Sequence, residues 1–187
     1  MSLTQWFEKG LTFDQYIDGM TVNKEEMVSI LDSFKLDEDD AELLEKIKDA
    51  NLRAIVLTED WCGDALLNNP ILVKMANHIG MEVRFLLRDQ NLELMDQYLT
   101  NGTSRAIPIF VFIDENGEEK AVWGPRAPKL QQIVQSGRAE LPDKEDPTFE
   151  EKQREFYTKL KKSYVTDDSL WDEVAYSILT TLKEKVL

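Results

Sequence analysis

The chain contains a single cysteine and a single histidine among its 187 residues, and this scarcity excludes several kinds of site. One cysteine cannot form an intrachain disulfide, and one cysteine with one histidine cannot supply the clustered ligands of a structural zinc site. The sequence also lacks a glycine-rich phosphate loop and a Ser-His-Asp arrangement. It therefore predicts no bound metal and no bound cofactor.

Long hydrophobic runs are missing as well. Residues 1–20 include Glu8, Lys9 and Asp14, which do not suit the apolar region of a secretory signal peptide. No later stretch is long and apolar enough to cross a bilayer. Because a chain with one thiol and no export signal suits a reducing compartment, we expect a cytoplasmic protein.

Basic residues are outnumbered, with 22 Lys and Arg against 36 Asp and Glu and a formal net charge of −14. Such a field repels phosphate, so neither nucleic acid nor an anionic membrane is expected as a partner. Most of the acidity lies in residues 1–50 and 139–187, whereas residues 51–138 are nearly neutral, as is typical of a compact core. The acidic run at residues 37–40 is interpreted as the solvated start of a helix.

The apolar pattern divides the chain into three predicted segments. Residues 1–50 have the periodicity of helices separated by turns, and residues 139–187 that of two longer helices. Between them, residues 51–138 alternate between strands and helices and form the predicted central domain. The sequence gives no indication of an oligomeric state.

Within the central segment the pattern predicts a βαβ unit, a helix through Leu92, Met95 and Leu99, a β-hairpin and a last helix ended by Gly137. The Asn116-Gly117 pair is a strong hairpin turn signal. A βαβ unit implies parallel strands and a hairpin implies antiparallel ones, so the fold class is α/β with a mixed sheet.

Cys62 lies where a predicted strand, residues 53–58, meets the start of a predicted helix, residues 66–79. A thiolate at a helix N-terminus faces free backbone N–H groups and the positive end of the helix dipole, both of which lower the thiol pKa. The alternative is a small buried hydrophobic residue, the commonest role of a lone cysteine. Because Cys62 falls at a loop-to-helix junction and not inside a periodic apolar face, the sequence favours a reactive thiol.

The order of the motifs resembles that of the thioredoxin superfamily: Trp61-Cys62-Gly63 at a strand-to-helix junction, Ser104-Arg105-Ala106-Ile107-Pro108 before a strand, the Asn116-Gly117 hairpin, and Gly124 before the last helix. This resemblance covers about residues 51–137. The whole chain resembles a bacterial single-cysteine thioredoxin-like family with a Trp-Cys-Gly-Asp-Ala motif and added helices. It implies a thioredoxin-like three-layer sandwich with N- and C-terminal helical extensions.

The resemblance also implies a site. Cys62 would be the catalytic thiol, the bond before Pro108 would be cis and lie against it, and the backbone of Ile107 would pair with a bound peptide. An ordinary proline at the start of an edge strand is the alternative for Pro108. The implied cleft for a substrate or partner is formed by Trp61, Gly63, Asp64, Ile107, Pro108 and Gly124.

Three departures from thioredoxin concern the dithiol cycle. The second, resolving cysteine falls on Ala65, the buried acid that handles its proton falls on Val56, and the lysine near that acid falls on Phe85. Burying a carboxylate costs free energy unless it has a partner or a catalytic role. Once the resolving thiol is absent, apolar side chains at these positions are therefore more stable. The dithiol cycle is therefore predicted to be absent as a unit.

Single-cysteine chemistry stays open to such a chain. Cys62 could exchange with a protein or small-molecule disulfide, with an external low-molecular-weight thiol as the resolving partner, or be oxidised to sulfenic acid and rescued the same way. Peroxiredoxin-like chemistry is less favoured because Glu59 stands where a threonine is usual. The first hypothesis is thus a thioredoxin-like monothiol disulfide oxidoreductase.

Two other hypotheses do not need catalysis. The chain could be a thioredoxin-fold module that binds a peptide or protein partner at the Cys62/Pro108 cleft. It could also be a scaffold whose acidic helices bind partners, with Cys62 vestigial. Because the nucleophile itself is present, the sequence favours the redox reading slightly.

Electrostatic effects on Cys62 oppose one another in the sequence. The helix N-terminus lowers the thiol pKa, whereas the neighbouring carboxylates Glu59, Asp60 and Asp64 disfavour a thiolate. Arg105 would offset this negative charge if it pointed toward the cleft, and the equal alternative is a surface residue. The sequence predicts a thiol less acidic than that of a dithiol thioredoxin, and it assigns His78 to the C-terminal end of the Cys62 helix.

Overall fold

The sheet has four strands, and its central strands are continuous apolar runs. The computed structural model describes residues 1–187, and its strands are β1 (Arg53–Thr58), β2 (Val83–Leu87), β3 (Ile109–Ile113) and β4 (Glu119–Trp123). Their order in the sheet is β2-β1-β3-β4. β1 is parallel to β2 and antiparallel to β3, and β4 is antiparallel to β3. The mixed α/β sheet predicted from the βαβ and hairpin patterns is confirmed.

Nine α-helices surround the sheet: α1 (Leu3–Lys9), α2 (Phe13–Gly19), α3 (Lys24–Ser33), α4 (Glu38–Lys48), α5 (Gly63–Ile79), α6 (Leu92–Met95), α7 (Pro128–Ala139), α8 (Phe149–Thr166) and α9 (Asp168–Val186). The acidic run does start a helix, because the Asp37 side chain accepts from Asp40 N and caps α4. None of the nine has both the length and the apolar character needed to span a membrane.

Alternate residues of the strands face two different layers, as the two-residue period of a strand requires. On β1, Ala54 and Val56 belong to a cluster of 36 buried residues, whereas Ile55 and Leu57 belong to a second cluster of 11. The larger cluster contains side chains of α2–α5 and α7–α9, and the smaller one contains side chains of α1 and α6. The sheet is therefore the middle layer of a thioredoxin-like sandwich.

The helices outside residues 51–138 pack onto this core. The large cluster extends from Tyr16 in α2 to Leu182 in α9, and α3, α4 and α9 all contact α5. At one edge of the sheet, Leu11 and Phe85 exchange two backbone hydrogen bonds of 2.8 Å, so the N-terminal segment pairs with β2. The division at residues 50 and 138 stays a prediction.

Two helices differ in length from their predictions. α6 ends at Met95 and does not reach Leu99, because Gln97 N and Tyr98 N bond to carbonyls three residues earlier and the chain continues as turns. It then reverses at Asn101 and Gly102, both with positive φ. α7 continues past Gly137. A Cβ atom at this position would overlap the ring of Phe156 on α8, so the glycine permits close helix packing and does not end the helix.

Candidate active site

Cys62 is the N-cap residue of α5. Its carbonyl accepts the first helical hydrogen bond from Leu66 N at 3.0 Å, and its own N–H donates to the Glu59 carbonyl at 3.3 Å. The second bond closes the loop after β1 into a turn. The side chain is partly exposed at the margin of the smaller apolar cluster, so Cys62 is not a core residue.

Ile107 and Pro108 pack beside the thiol, as the resemblance implied. The peptide bond between them is cis, and Cys62 Sγ donates to the Ile107 carbonyl at 3.5 Å. Gly124 lies against Pro108 with a φ of 129°, and a Cβ atom there would overlap the Pro108 carbonyl oxygen. Only glycine lets these two backbones approach so closely. The structure therefore brings Cys62, Ile107, Pro108 and Gly124 together.

On its other side Cys62 adjoins an ion pair that the sequence did not reveal. Asp64, in the first turn of α5, binds Arg126 with an Nη2–Oδ2 distance of 2.8 Å. Tyr164 of α8 donates its hydroxyl to the other Asp64 oxygen at 3.1 Å, and Arg126 also donates to Gln131 Oε1 at 2.8 Å. Both charged side chains are largely buried, with 14% and 16% of their surface exposed. The C-terminal extension therefore takes part in the site.

Arg126 has the role that the sequence offered to Arg105. Arg105 makes a bidentate pair with Asp96, at 2.8 and 3.1 Å, and is not among the groups that shift the Cys62 pKa. Of the two alternatives for Arg105, a residue facing the cleft or a surface residue, the structure shows the surface residue. Arg126 follows the predicted cleft residue Gly124 by two positions and could have been found from that proximity. Tyr164 is 100 residues from Asp64, and nothing in the local sequence marks it.

The other two carboxylates near Cys62 are used elsewhere. Glu59 is buried and accepts the backbone N–H of Asp89 at 2.9 Å. Asp60 Oδ2 accepts the backbone N–H groups of Thr21 and Val22 at 2.8 and 3.3 Å, as well as the Thr21 hydroxyl. Asn23 donates its side-chain amide to the Asp60 carbonyl at 2.9 Å. These four bonds tie the loop before Cys62 to the start of α3.

The pKa of the Cys62 thiol is raised to about 11. Burial is the largest cause, and the negative charge of Asp64 is the second. The backbone N–H groups of Ala65 and Asp64 and the charge of Arg126 act in the opposite direction but do not prevail. The direction agrees with the predicted weakly acidic thiol, although Asp64 is the carboxylate responsible and not all three.

The positions that departed from the dithiol pattern are filled by close packing. Ala65, Val56 and Phe85 are all fully buried, and Val56 and Phe85 are partners in the β1–β2 register. Phe85 also stacks on Tyr16, with ring centroids 4.8 Å apart. An apolar stack thus occupies the region where a buried acid and its lysine would lie.

Trp61 is an exposed residue of the site. Half of its surface, 51%, is accessible, and the Arg88 guanidinium carbon lies 4.9 Å from the centroid of its ring. The remaining predicted residue, Gly63, starts α5 with open space around it. His78 lies in the last turn of α5, as predicted, with Nε2 3.3 Å from a Glu45 oxygen.

A groove of about 410 Å³ opens between Trp61 and α8. Gly63, Asp64 and Arg126 line one side, and α8 contributes Tyr157, Leu160, Lys161 and Tyr164 to the other. Cys62 itself is not among the lining residues, although both of its chain neighbours are. This groove therefore borders the Cys62 loop through Trp61, Gly63 and Asp64, and we call it the α8 groove.

Comparison with known proteins agrees with this architecture. A family model described as Thioredoxin matches residues 10–141. No curated protein matches the chain. A protein of unknown function from Pseudomonas aeruginosa, in a crystal structure, has a TM-score of 0.70 with 17% identity and 98% of each chain covered. A crystallised HIV epitope-scaffold protein has a TM-score of 0.69 with 17% identity, covering 98% of this chain and 99% of its own.

The two structural matches establish likeness of fold, and their coverage includes the helical extensions. The family match spans the sheet, the Cys62 loop, the cis proline and the helices from α2 to α7. The chain therefore belongs to the thioredoxin family.

Proposed function

We propose that this protein is a monothiol disulfide oxidoreductase that acts through Cys62. One observation carries the proposal: the only thiol of the chain is partly exposed at the N-terminus of α5, with Sγ 3.5 Å from the carbonyl that precedes the cis Pro108. A cysteine with only a packing role would be expected inside the apolar core and not at the exposed start of a helix.

The proposed reaction has two exchange steps. The Cys62 thiol loses its proton to solvent, and the thiolate attacks one sulfur of a protein or small-molecule disulfide. A mixed disulfide with Cys62 forms, and the other sulfur leaves as a thiolate that takes up a proton. The thiolate of an external low-molecular-weight thiol then attacks the substrate sulfur of the mixed disulfide. This step releases a new disulfide and restores Cys62, with no second cysteine needed.

The thiol pKa sets the pH range of this reaction. With a pKa of about 11, only about one thiol in ten thousand is ionised at pH 7. A thiolate of high pKa is intrinsically more nucleophilic, which offsets part of this loss. We therefore expect slow exchange at neutral pH and a rate that rises steadily as the solution becomes alkaline. A reducing compartment such as the cytoplasm would supply the external thiol.

The test is turnover of a peptide–glutathione mixed disulfide by wild type and by Cys62→Ser. Wild type should release the peptide thiol and Cys62→Ser should not, while neither should reduce insulin because a dithiol is required there. Equal turnover by the two proteins would eliminate the proposed reaction.

A second candidate is a non-catalytic module that binds a peptide or protein at the Cys62/Pro108 cleft. The raised thiol pKa favours it, since a protonated thiol is a poor nucleophile. On this hypothesis Cys62→Ser would retain partner binding, and Pro108→Thr would lose it because the wall of the cleft changes. Recovery of the same partners with Pro108→Thr would count against binding at this cleft.

A further inference from the structure

The α8 groove concentrates exposed apolar surface beside the thiol. Val22, Trp61 and Tyr157 line it, and they are 45%, 51% and 37% exposed although large hydrophobic residues are usually covered. They come from three separate parts of the chain, so their convergence is a property of the tertiary structure. Apolar walls of this kind contact the non-polar part of a ligand.

The lining of the same groove has two cations and one carboxylate, and a second carboxylate, Glu26, lies just outside it. The charged lining residues are Asp64, Arg126 and Lys161. Asp64 is already paired with Arg126 and Tyr164, which leaves Lys161 as the cation whose charge is most available. In a chain with a net charge of −14, a recess lined by two cations and one carboxylate is a place where an anionic group can bind.

The one partner of Lys161 is readily exchanged. Lys161 Nζ lies 3.3 Å from Glu26 Oε1, and the two side chains are 43% and 37% exposed. Such an exposed pair contributes little stability. A ligand carboxylate could therefore replace Glu26 and form a charge-assisted hydrogen bond with Lys161 at small cost.

We propose that the α8 groove binds the carboxylate-bearing part of a low-molecular-weight thiol compound, with Lys161 as the partner of the carboxylate and Trp61 as an apolar wall. A volume of about 410 Å³ lies within the usual range for small-molecule sites, which favours a small molecule over a folded partner. The identification of the ligand as a thiol compound rests on the proposed function, because the groove adjoins Cys62. The bonds exchanged at Cys62 are those described above, and the inference itself concerns binding.

The experiment measures binding without reaction. The Cys62→Ser protein is titrated with S-methylglutathione, a tripeptide thioether that has two carboxylates and no free thiol. Tryptophan fluorescence follows binding because Trp61 is exposed and the other three tryptophans are buried. Calorimetry gives an independent Kd. We expect saturable binding in both measurements.

Four further comparisons assign the site. Lys161→Met should weaken binding about tenfold, the loss expected for one charge-assisted hydrogen bond. Lys159→Met, an equal change of charge at an exposed position of α8 outside the groove, should leave Kd unchanged. Glu26→Gln should tighten binding because it frees Lys161. The dimethyl ester of the probe should bind as weakly as the acid binds to Lys161→Met.

Each contrary result overturns the inference. Absence of saturable binding, or equal effects of Lys161→Met and Lys159→Met, would show that the groove does not bind the carboxylate. Tight binding of the ester would assign the groove to an uncharged occupant such as a peptide segment. Because Cys62→Ser cannot react, these outcomes are separate from turnover. Binding through Lys161 together with Cys62-independent turnover would overturn the proposed function alone.

Discussion

The two sides of Cys62 are built by different kinds of contact. On one side, the Ile107 carbonyl accepts from the thiol, and the Gly124 backbone packs against Pro108 behind it, near the ends of β3 and β4. On the other side, Asp64, Arg126 and Tyr164 meet through charged and hydroxyl side chains, and one of them comes from a helix outside the central domain. The first side fixes where the sulfur lies. The second side helps to fix how strongly the sulfur holds its proton.

This difference separates position from reactivity in a single site. A family fold can preserve the place of a thiol while burial and a neighbouring carboxylate change its acidity. The presence of a cysteine at the start of α5 is therefore a poor guide to its ionisation. The following predictions test whether the two sides can be altered independently.

Gly124→Ala should damage the Pro108 side and have the largest effect on stability. A side chain at a φ of 129° is strained, and its Cβ would overlap the Pro108 carbonyl oxygen. We expect a loss of about 3 kcal/mol or more in the free energy of unfolding, measured by urea titration. Gly19→Ala is the control, because Gly19 has open space and no positive φ. Similar midpoints for the two variants would contradict the close approach at Gly124.

Cys62 itself should make stability depend on pH. An unfolded thiol titrates near pH 8.5, whereas the folded thiol has a pKa of about 11, so between these values only the folded state retains the proton. The contribution of the protonated Cys62 thiol to the free energy of unfolding is complete below about pH 8.5 and is lost as the pH rises through 11. Wild type should therefore lose about 2.5 kcal/mol relative to Cys62→Ser over this interval.

Denaturant unfolding of both proteins at about pH 8 and about pH 10.5 measures this difference. The subtraction removes contributions from tyrosines, such as Tyr16, whose pKa burial also raises, to about 12. Parallel behaviour of the two proteins would mean that the folded thiol is not desolvated.

Asp64→Asn should alter the other side of the thiol. Removing this charge leaves Arg126 unopposed beside the sulfur, so the Cys62 pKa should fall by about one unit or more. The rate of alkylation by iodoacetamide against pH gives the pKa. Asp60→Asn is the matched control, since Asp60 faces Thr21 and Val22, and it should leave the profile in place. Equal shifts in both variants would mean that any carboxylate close to Cys62 in the sequence raises its pKa, whatever its contacts.

Arg105→Gln should have the smallest effect. Its pair with Asp96 is exposed and Arg105 is not among the groups that shift the Cys62 pKa, so neither the alkylation profile nor the urea midpoint should change measurably. Arg126→Gln provides the contrast, because loss of its charge should raise the pKa of Cys62 further. A shift of the alkylation profile in Arg105→Gln would restore the role that the sequence suggested for this residue.

Much of the fold follows from local signals in the sequence. The apolar run at residues 53–58, the loop with Cys62 and the Asn116-Gly117 turn all lie where their local patterns predicted. Each of these patterns involves only a few neighbouring residues, so it can be recognised without knowledge of the tertiary structure. That Cys62 and Pro108 lie close together was predicted from the family resemblance. The sequence between them does not by itself indicate how far apart they are in space.

The parts that could not be predicted depend on long-range packing. Gly137 resembles a glycine that ends a helix, but its lack of a side chain lets Phe156 of α8 pack closely against α7. No local sequence pattern indicates this contact. Glu59, Asp60 and Asp64 are alike in sequence, and only the tertiary structure shows that the first two are engaged elsewhere. Tyr164 reaches the site because α8 folds back across α5.

The hydrogen bonds between Asp60 and residues 21–23 bear on attempts to transplant this site. The Trp61-Cys62 loop owes its shape to a partner segment that lies almost forty positions earlier in the chain. A designer who grafts the loop alone onto another scaffold would leave the Asp60 carboxylate without its donors. The smallest set of residues that could be grafted together is therefore discontinuous in sequence, and it must include the turn that precedes α3.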